Sequence, residues 1–182
     1  MEIKKTDIDE ILVSEEEINE ICNRLAKQIS EDYKDKKLYL ICILKGSLPF
    51  TADIMKRLTC DCILDFMSVS SYNGTQTSGF VNIKKDLDTD VSGCDVLIIE
   101  DILETGITLS RVKEILIDRG VNSVKICTLL DKSVNRTVDI EADYVGKVIP
   151  DKFVIGYGLD YNEKYRNLPF VGVLSSKVYA DK

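Results

Sequence analysis

The 182-residue chain has no histidine. That absence removes Ser-His-Asp triads, Cys-His pairs and histidine-ligated zinc from consideration. The chemistry left is that of carboxylates, lysine, arginine, backbone amides and hard metal ions. There is no Cys-x-x-Cys pair either, and the six cysteines are scattered. Cys42 and Cys127 fall inside apolar runs, and Cys60 and Cys62 share one face of an expected strand. All are expected to pack as small hydrophobes. A basic excess is also missing. The net charge of −7 argues against nonspecific binding to a nucleic-acid backbone. No apolar run approaches the roughly 18 residues that would cross a bilayer. Met1-Glu2-Ile3-Lys4-Lys5 lacks the apolar segment of a secretory signal. The expectation is a cytoplasmic protein without a membrane or nucleic-acid partner. With no internal repeat, low-complexity tract or linker, residues 1–182 read as a single domain.

What is present is organised around Asp95 to Ser110. Val96 to Ile99 is a short apolar run, the pattern of a strand buried on both faces in a parallel sheet. Glu100 and Asp101 stand at its carboxyl end. Glu104-Thr105-Gly106-Ile107-Thr108 then makes a turn rich in hydroxyls and backbone N–H groups. Leu109, Val112, Ile115 and Leu116 follow at helical spacing. A helix amino end and exposed amides favour an anion, and open α/β sheets bind ligands beyond the strand carboxyl ends. The unit is expected to cradle a sugar phosphate.

The rest of the chain repeats this alternation. Residues 1–13 read as an extended lead-in. Ser14 with Glu17 matches a capping box, and Ile18, Ile21, Cys22, Leu25 and Ile29 form the stripe of a helix ending near Asp32. Leu38 to Leu44 reads as a buried strand leading through Lys45-Gly46-Ser47 into a helix from Pro49 to about Leu58. Lys-Gly-Ser at such a junction can hold an anion, since glycine allows close approach and lysine supplies charge. Cys60 to Ser68 is an expected strand, and the polar residues 70–79 are either a hairpin loop or a lid. Phe80 to Ile83, Val124 to Leu130, Tyr144 to Ile149 and Phe170 to Leu174 are further strands. Residues 133–142 read as a polar connection, and Gly120 as a helix C′ glycine. The alternation predicts a doubly wound parallel sheet.

Glu100-Asp101-Ile102-Leu103-Glu104-Thr105-Gly106-Ile107-Thr108 resembles the signature of type I phosphoribosyltransferases, which bind phosphoribosyl pyrophosphate. Leu44-Lys45-Gly46-Ser47, Ser71-Tyr72, Leu129 to Lys132, Ile149-Pro150-Asp151-Lys152-Phe153-Val154 and Gly158 to Arg166 narrow the resemblance to the hypoxanthine-guanine phosphoribosyltransferases. It implies an α/β fold with an open, mostly parallel sheet flanked by helices and a small hood formed from terminal segments. It also implies magnesium-dependent transfer of ribose 5-phosphate to N9 of hypoxanthine or guanine, giving IMP or GMP in purine salvage, by a homodimer or homotetramer.

By the same resemblance, Glu100 and Asp101 meet the ribose hydroxyls and a magnesium ion, and Glu104 through Thr108 form the 5′-phosphate loop. Lys45, Gly46 and Ser47 match the pyrophosphate loop, where the family has a cis peptide that does not involve proline. Arg166 adds a second pyrophosphate contact, Asp160 a second magnesium ligand beside the purine, and Ser71 and Tyr72 a lid. Phe153 matches the aromatic that stacks on the purine, Lys132 the donor to its 6-oxo group, and Lys152 and Val154 flank them at the purine edge. Glu104 is the departure: the family's base for the N7 proton is ordinarily aspartate, and glutamate keeps the carboxylate with one more methylene. Two other readings are weighed. A nucleotide-sensing regulator on this fold would need a basic face, which the acidic balance opposes. A transferase for adenine or orotate is opposed by the Lys132 and Phe153 segments.

Overall fold

The computed structural model describes residues 7–71 and 81–179. Nine strands and three α-helices are assigned there: β1 (Ile8–Val13), α1 (Glu15–Asp32), β2 (Lys37–Leu44), α2 (Leu48–Met55), β3 (Asp61–Ser71), β4 (Val81–Lys85), β5 (Asp95–Leu103), α3 (Ile107–Asp118), β6 (Ser123–Asp131), β7 (Tyr144–Val148), β8 (Val154–Ile155) and β9 (Val171–Leu174). Two sheets result. The larger has the order β4-β3-β2-β5-β6-β7. Every pairing in it is parallel except that of the edge strand β4, which is antiparallel to β3.

Alternating side chains explain why both faces of this sheet are covered. Leu38, Leu40, Leu97, Ile99, Cys127 and Leu129 pack beneath α1 and α2, with Ile18, Cys22, Leu25, Ile29, Phe50 and Ile54. Tyr39, Ile41, Ile43, Val96, Ile98 and Ile126 pack under Leu109, Val112 and Leu116 of α3. Consecutive residues of one strand thus serve opposite cores, as the period of two requires. Strands of this kind are therefore mostly apolar.

The smaller sheet, β1-β9-β8, is antiparallel and joins the two ends of the described chain. It is the expected hood. β9 is its middle strand, so residues 171–174 hold both neighbours in place.

Several local expectations need adjustment. Ser14 Oγ accepts from Glu17 N at 3.2 Å, as a capping residue should. The Glu17 carboxylate, however, takes the Lys147 ammonium at 2.7 Å, so the reciprocal half of the box is replaced by an ion pair to β7. The helix expected to reach about Leu58 ends at Met55 and gives way to a turn. Residues 133–142 contain a short 3-10 turn, Ser133–Asn135, and the connection is anchored by buried Ile140 with Val138 and Ala142 beside it. Strand β5 runs on through Glu100 and Asp101 to Leu103, so the carboxylates lie within the strand. The described cysteines are all free, and Cys22, Cys42 and Cys127 are buried. Among the described residues no helix is long and apolar enough to cross a membrane.

Candidate active site

From β2 the chain moves to β3 on one side, and from β5 it moves to β6 and β7 on the other. The carboxyl ends of β2 and β5 therefore flank the point where the winding reverses, the place where such sheets open a crevice. Lys45-Gly46-Ser47 leaves β2 there, Glu100 to Thr108 leaves β5, and Asp131-Lys132 leaves β6. A cleft of about 380 Å³ lies at this edge, lined by Ile43, Leu44, Val69, Ser70, Glu100, Ile102, Leu103, Glu104, Thr105, Gly106, Thr108 and Leu109.

The floor of the crevice is acidic. Asp101 is buried, and its Oδ1 accepts from Ile102 N at 2.8 Å. Glu100 Oε2 is shut off from solvent without a hydrogen-bond partner. Burial and the neighbouring Asp101 push the Glu100 carboxyl well above the usual carboxylate range, and burial raises Asp101 as well. Two adjacent carboxyls so placed need protons, hydroxyl donors or a cation to be neutralised.

The turn after β5 is built for an anion. Gly106 has φ +83°, a conformation that costs glycine nothing, and it is the N-cap residue of α3 with no side-chain bond to the cap. The first amides of α3 therefore face outward beside the hydroxyls of Thr105 and Thr108. Thr105 Oγ1 lies 3.5 Å from Ile107 N. Behind the turn, Arg136 Nε donates to Glu104 O at 2.8 Å, Arg136 also ion-pairs Asp131, and Thr137 N donates to Thr105 O at 3.0 Å. The loop backbone is thus held from outside through its carbonyls.

The loop after β2 carries a cis peptide between Leu44 and Lys45, where the resemblance implied one. Lys45 is exposed and pairs with Glu163 at 3.2 Å. Ser47 is fully buried, and its hydroxyl donates to Ile43 O at 2.6 Å. Only the Ser47 backbone therefore remains to meet an anion. Gly46 is there because there is no room for more: a Cβ would come within 1.7 Å of Asp101 Oδ2.

A third wall comes from residues 156–166, which turn back over this loop. A Cβ on Gly158 would lie 1.9 Å from Gly46 O. Arg166 Nη1 donates to Gly158 O at 2.7 Å, and Nη2 reaches Asp160 at 2.8 Å and Glu163 at 3.2 Å. Arg166 Nε is buried without a partner. Tyr157 adopts φ +48° and donates its hydroxyl to Asp53 of α2 at 2.6 Å. This bond ties the third wall to the helix that starts at the β2 loop. Tyr157→Phe is expected to lower stability by about 1–2 kcal/mol, which thermal unfolding would register as roughly 2–8 °C.

The fourth wall is aromatic and basic. Phe153 is 45% exposed, with Tyr161 edge-on at 5.7 Å and Tyr179 tilted at 5.6 Å. Lys132 is buried, and its ammonium lies 2.9 Å from Glu104 Oε1 and 2.9 Å from Asp151 Oδ1. Asn135 Nδ2 donates to the same two oxygens at 2.8 and 3.0 Å. Burial pushes the Glu104 carboxyl up, but the bonds from Lys132 and Asn135 outweigh it and hold it below the usual range. Val154 is buried in β8. The Lys152 ammonium turns away to Glu10 of β1, so Lys152 braces the hood and its side chain does not join the other purine candidates. Of the proposed lid, Ser71 ends β3, but its side chain and all of Tyr72 lie outside the described residues.

Sequence reasoning missed Asn135, Asp151 as a partner of Lys132, Tyr157, Gly158 and the Tyr161–Tyr179 pair around Phe153. Only the Gly156-Tyr157-Gly158 repeat of glycines carried a signal, that of a backbone needing unusual dihedrals.

The chain is similar to known proteins along most of its length. The phosphoribosyl transferase domain model matches residues 10–162. The chain is 55% identical to a hypoxanthine-guanine phosphoribosyltransferase of Staphylococcus epidermidis, over 96% of this chain and 98% of that one. A crystal structure of a hypoxanthine phosphoribosyltransferase from Staphylococcus aureus superposes with a TM-score of 0.93 at 54% identity, covering 96% and 95% of the two chains. A hypoxanthine-guanine phosphoribosyltransferase from Bacillus anthracis, with a HEPES molecule in its active site, gives 0.89 at 43% identity, over 92% and 99%.

Proposed function

Because the chain belongs to the phosphoribosyltransferase family, among the hypoxanthine-guanine phosphoribosyltransferases, we propose that the four walls above divide its reaction between them. The enzyme transfers ribose 5-phosphate from phosphoribosyl pyrophosphate to a 6-oxopurine in purine salvage. The observation that carries the division is the convergence of the β2, β5 and β6 loops at the winding reversal.

The amides of Gly106 to Thr108 and the threonine hydroxyls hold the 5′-phosphate at the start of α3. Glu100 and Asp101 accept hydrogen bonds from the ribose hydroxyls. Lys45, the Gly46 and Ser47 backbone and Arg166 hold the pyrophosphate, and the unpartnered Arg166 Nε is a donor ready for it. Phe153 lies against the purine face and Lys132 donates to the 6-oxo oxygen. During transfer the N9–C1′ bond forms and the C1′–oxygen bond to pyrophosphate breaks, pyrophosphate leaving with the electron pair. The purine N7 proton passes to Glu104.

Magnesium fits the residues present. The unpartnered Glu100 oxygen and the raised Glu100 and Asp101 carboxyls are hard donors lacking a counter-charge. Glu100 and Asp101 would hold one ion and Asp160 another, and the metal supplies charge neutralisation to the pyrophosphate. Millimolar magnesium with phosphoribosyl pyrophosphate is expected to raise the melting temperature, since a ligand bound only to the folded state stabilises it by mass action. Glu100→Gln with Asp101→Asn should abolish most of that rise in the same scan.

The test of the whole reading is ultraviolet-monitored turnover of hypoxanthine, guanine, xanthine and adenine with phosphoribosyl pyrophosphate. Nucleotide from hypoxanthine or guanine, with little from adenine, is the expected outcome. Absence of nucleotide from every purine, on folded protein with magnesium, would refute it. The resemblance supports a cytoplasmic homodimer or homotetramer, which light scattering would distinguish.

A further inference from the structure

Lys132 and Glu104 have been given separate tasks, yet in this structure each occupies the other. The ammonium donates to Glu104 Oε1 and Asp151 Oδ1 at 2.9 Å each, and the same Glu104 oxygen accepts from Asn135. The group assigned to the purine 6-oxo oxygen and the group assigned to the purine N7 proton are thus bonded to one another through Glu104 Oε1. The surrounding backbone fixes the pair in place. Lys132 N donates to Leu103 O at 3.0 Å, and Arg136 binds the carbonyls of Leu103 and Glu104. Any rearrangement is left to the two side chains.

Resting on the assignments above, we propose that the Lys132–Glu104 pair is a latch that a 6-oxo group opens, so that recognition of the purine arms its own base. The ammonium has three N–H donors. One stays on Asp151, which has its own bond to the ammonium. The 6-oxo oxygen takes the position of Glu104 Oε1 on another. Glu104, relieved of its cation, gains proton affinity, and the N7–H bond breaks as an O–H bond forms on the carboxylate. Asn135, which bridges Glu104 and Asp151, keeps the released carboxylate in reach; it is a positioning residue. A purine with a 6-amino group offers a donor to a donor and leaves Lys132 on Glu104. Discrimination therefore falls on the chemical step as well as on binding.

The latch makes a prediction that a simple 6-oxo contact does not. Unsubstituted purine, which lacks any 6-group, cannot open it. In Lys132→Met, Glu104 has no cation to release and keeps only its bond from Asn135, so kcat on unsubstituted purine should rise at least about tenfold above the unaltered enzyme, while kcat/KM on hypoxanthine falls by about tenfold or more. If Lys132 serves only as a contact, kcat on unsubstituted purine stays level or falls, and the latch is overturned. A second measurement uses the unaltered enzyme. In a crystal structure with IMP, Lys132 Nζ should remain on Asp151 and lie on the 6-oxo oxygen, beyond hydrogen-bond distance of Glu104. Retention of the Lys132–Glu104 bond with IMP in place overturns the proposal, and this result decides alone should Lys132→Met fail to fold. An enzyme that makes no nucleotide from hypoxanthine would instead contradict the transferase reading, so the two failures are distinct.

Discussion

Glu104→Gln should lower kcat on hypoxanthine and guanine by about 10²–10⁴-fold, the usual contribution of a positioned general base. The substitution keeps the length of the side chain and an acceptor oxygen, so Asn135 and Lys132 retain a partner and the turn backbone, held by Arg136 and Thr137, is undisturbed. What is removed is the capacity to take up a proton. Binding of phosphoribosyl pyrophosphate should be little changed, because the phosphate donors are amides and hydroxyls further along the turn. A steady-state assay separates the cases: a fall in kcat with KM for phosphoribosyl pyrophosphate preserved assigns the base, and near-normal kcat refutes it. Glu104→Asp is the companion variant. It restores the family's usual residue and should retain turnover, since either carboxylate can accept the proton.

The second large effect is expected at Gly158. Its φ of +101° excludes an ordinary side chain, and a Cβ would also lie 1.9 Å from Gly46 O, which belongs to backbone that cannot rotate aside. Gly158→Ala therefore combines backbone strain with overpacking, each of about 1–3 kcal/mol. A loss of about 3 kcal/mol corresponds to roughly 6–12 °C in melting temperature for a chain of this size. The activity should fall further than stability alone requires. The displaced atom sits in the pyrophosphate loop, and the Gly158 carbonyl is the acceptor that aims Arg166. Reactions of positioned groups lose about 10²-fold for a misplacement near an ångström. A variant that melts normally and turns over normally would show that the two loops do not need this contact.

The comparison of sequence with structure divides along a physical line. The central sheet was legible because burial on both faces demands runs rich in apolar residues, and these stand out in Leu38–Leu44 and Val96–Ile99, and in Val124–Leu130 despite Lys125 and Thr128. The phosphate turn was legible because its chemistry is local: glycine, hydroxyls and a helix start lie within five residues. The purine half was not readable from pattern, and only resemblance named its residues. Its contacts are not local: Lys132 with Glu104, Asn135 with Asp151, Phe153 with Tyr179. Periodicity carries no information about such pairs. Ser47 shows the same limit within a loop: its place beside Lys45 and Gly46 is plain in the sequence, but not that its hydroxyl turns inward onto Ile43 O.

The hood sheet has a consequence for the order in which the molecule can be completed. Its first strand, Ile8–Val13, leaves the ribosome before the other described strands, but its partner in the sheet is Val171–Leu174. The phosphate cradle needs residues only as far as Arg136 and Thr137, which brace its turn, and the β2–β5 and β5–β6 pairings beneath it are made by then. The strand that bears Val154 and follows Phe153 must wait for β9 to lie between it and β1. During synthesis the sugar-phosphate half can therefore assemble while β1 remains an unpaired edge, and the purine half closes only when the last strand arrives. A nascent chain stalled before residue 171 would hold a phosphate site without a place for the base.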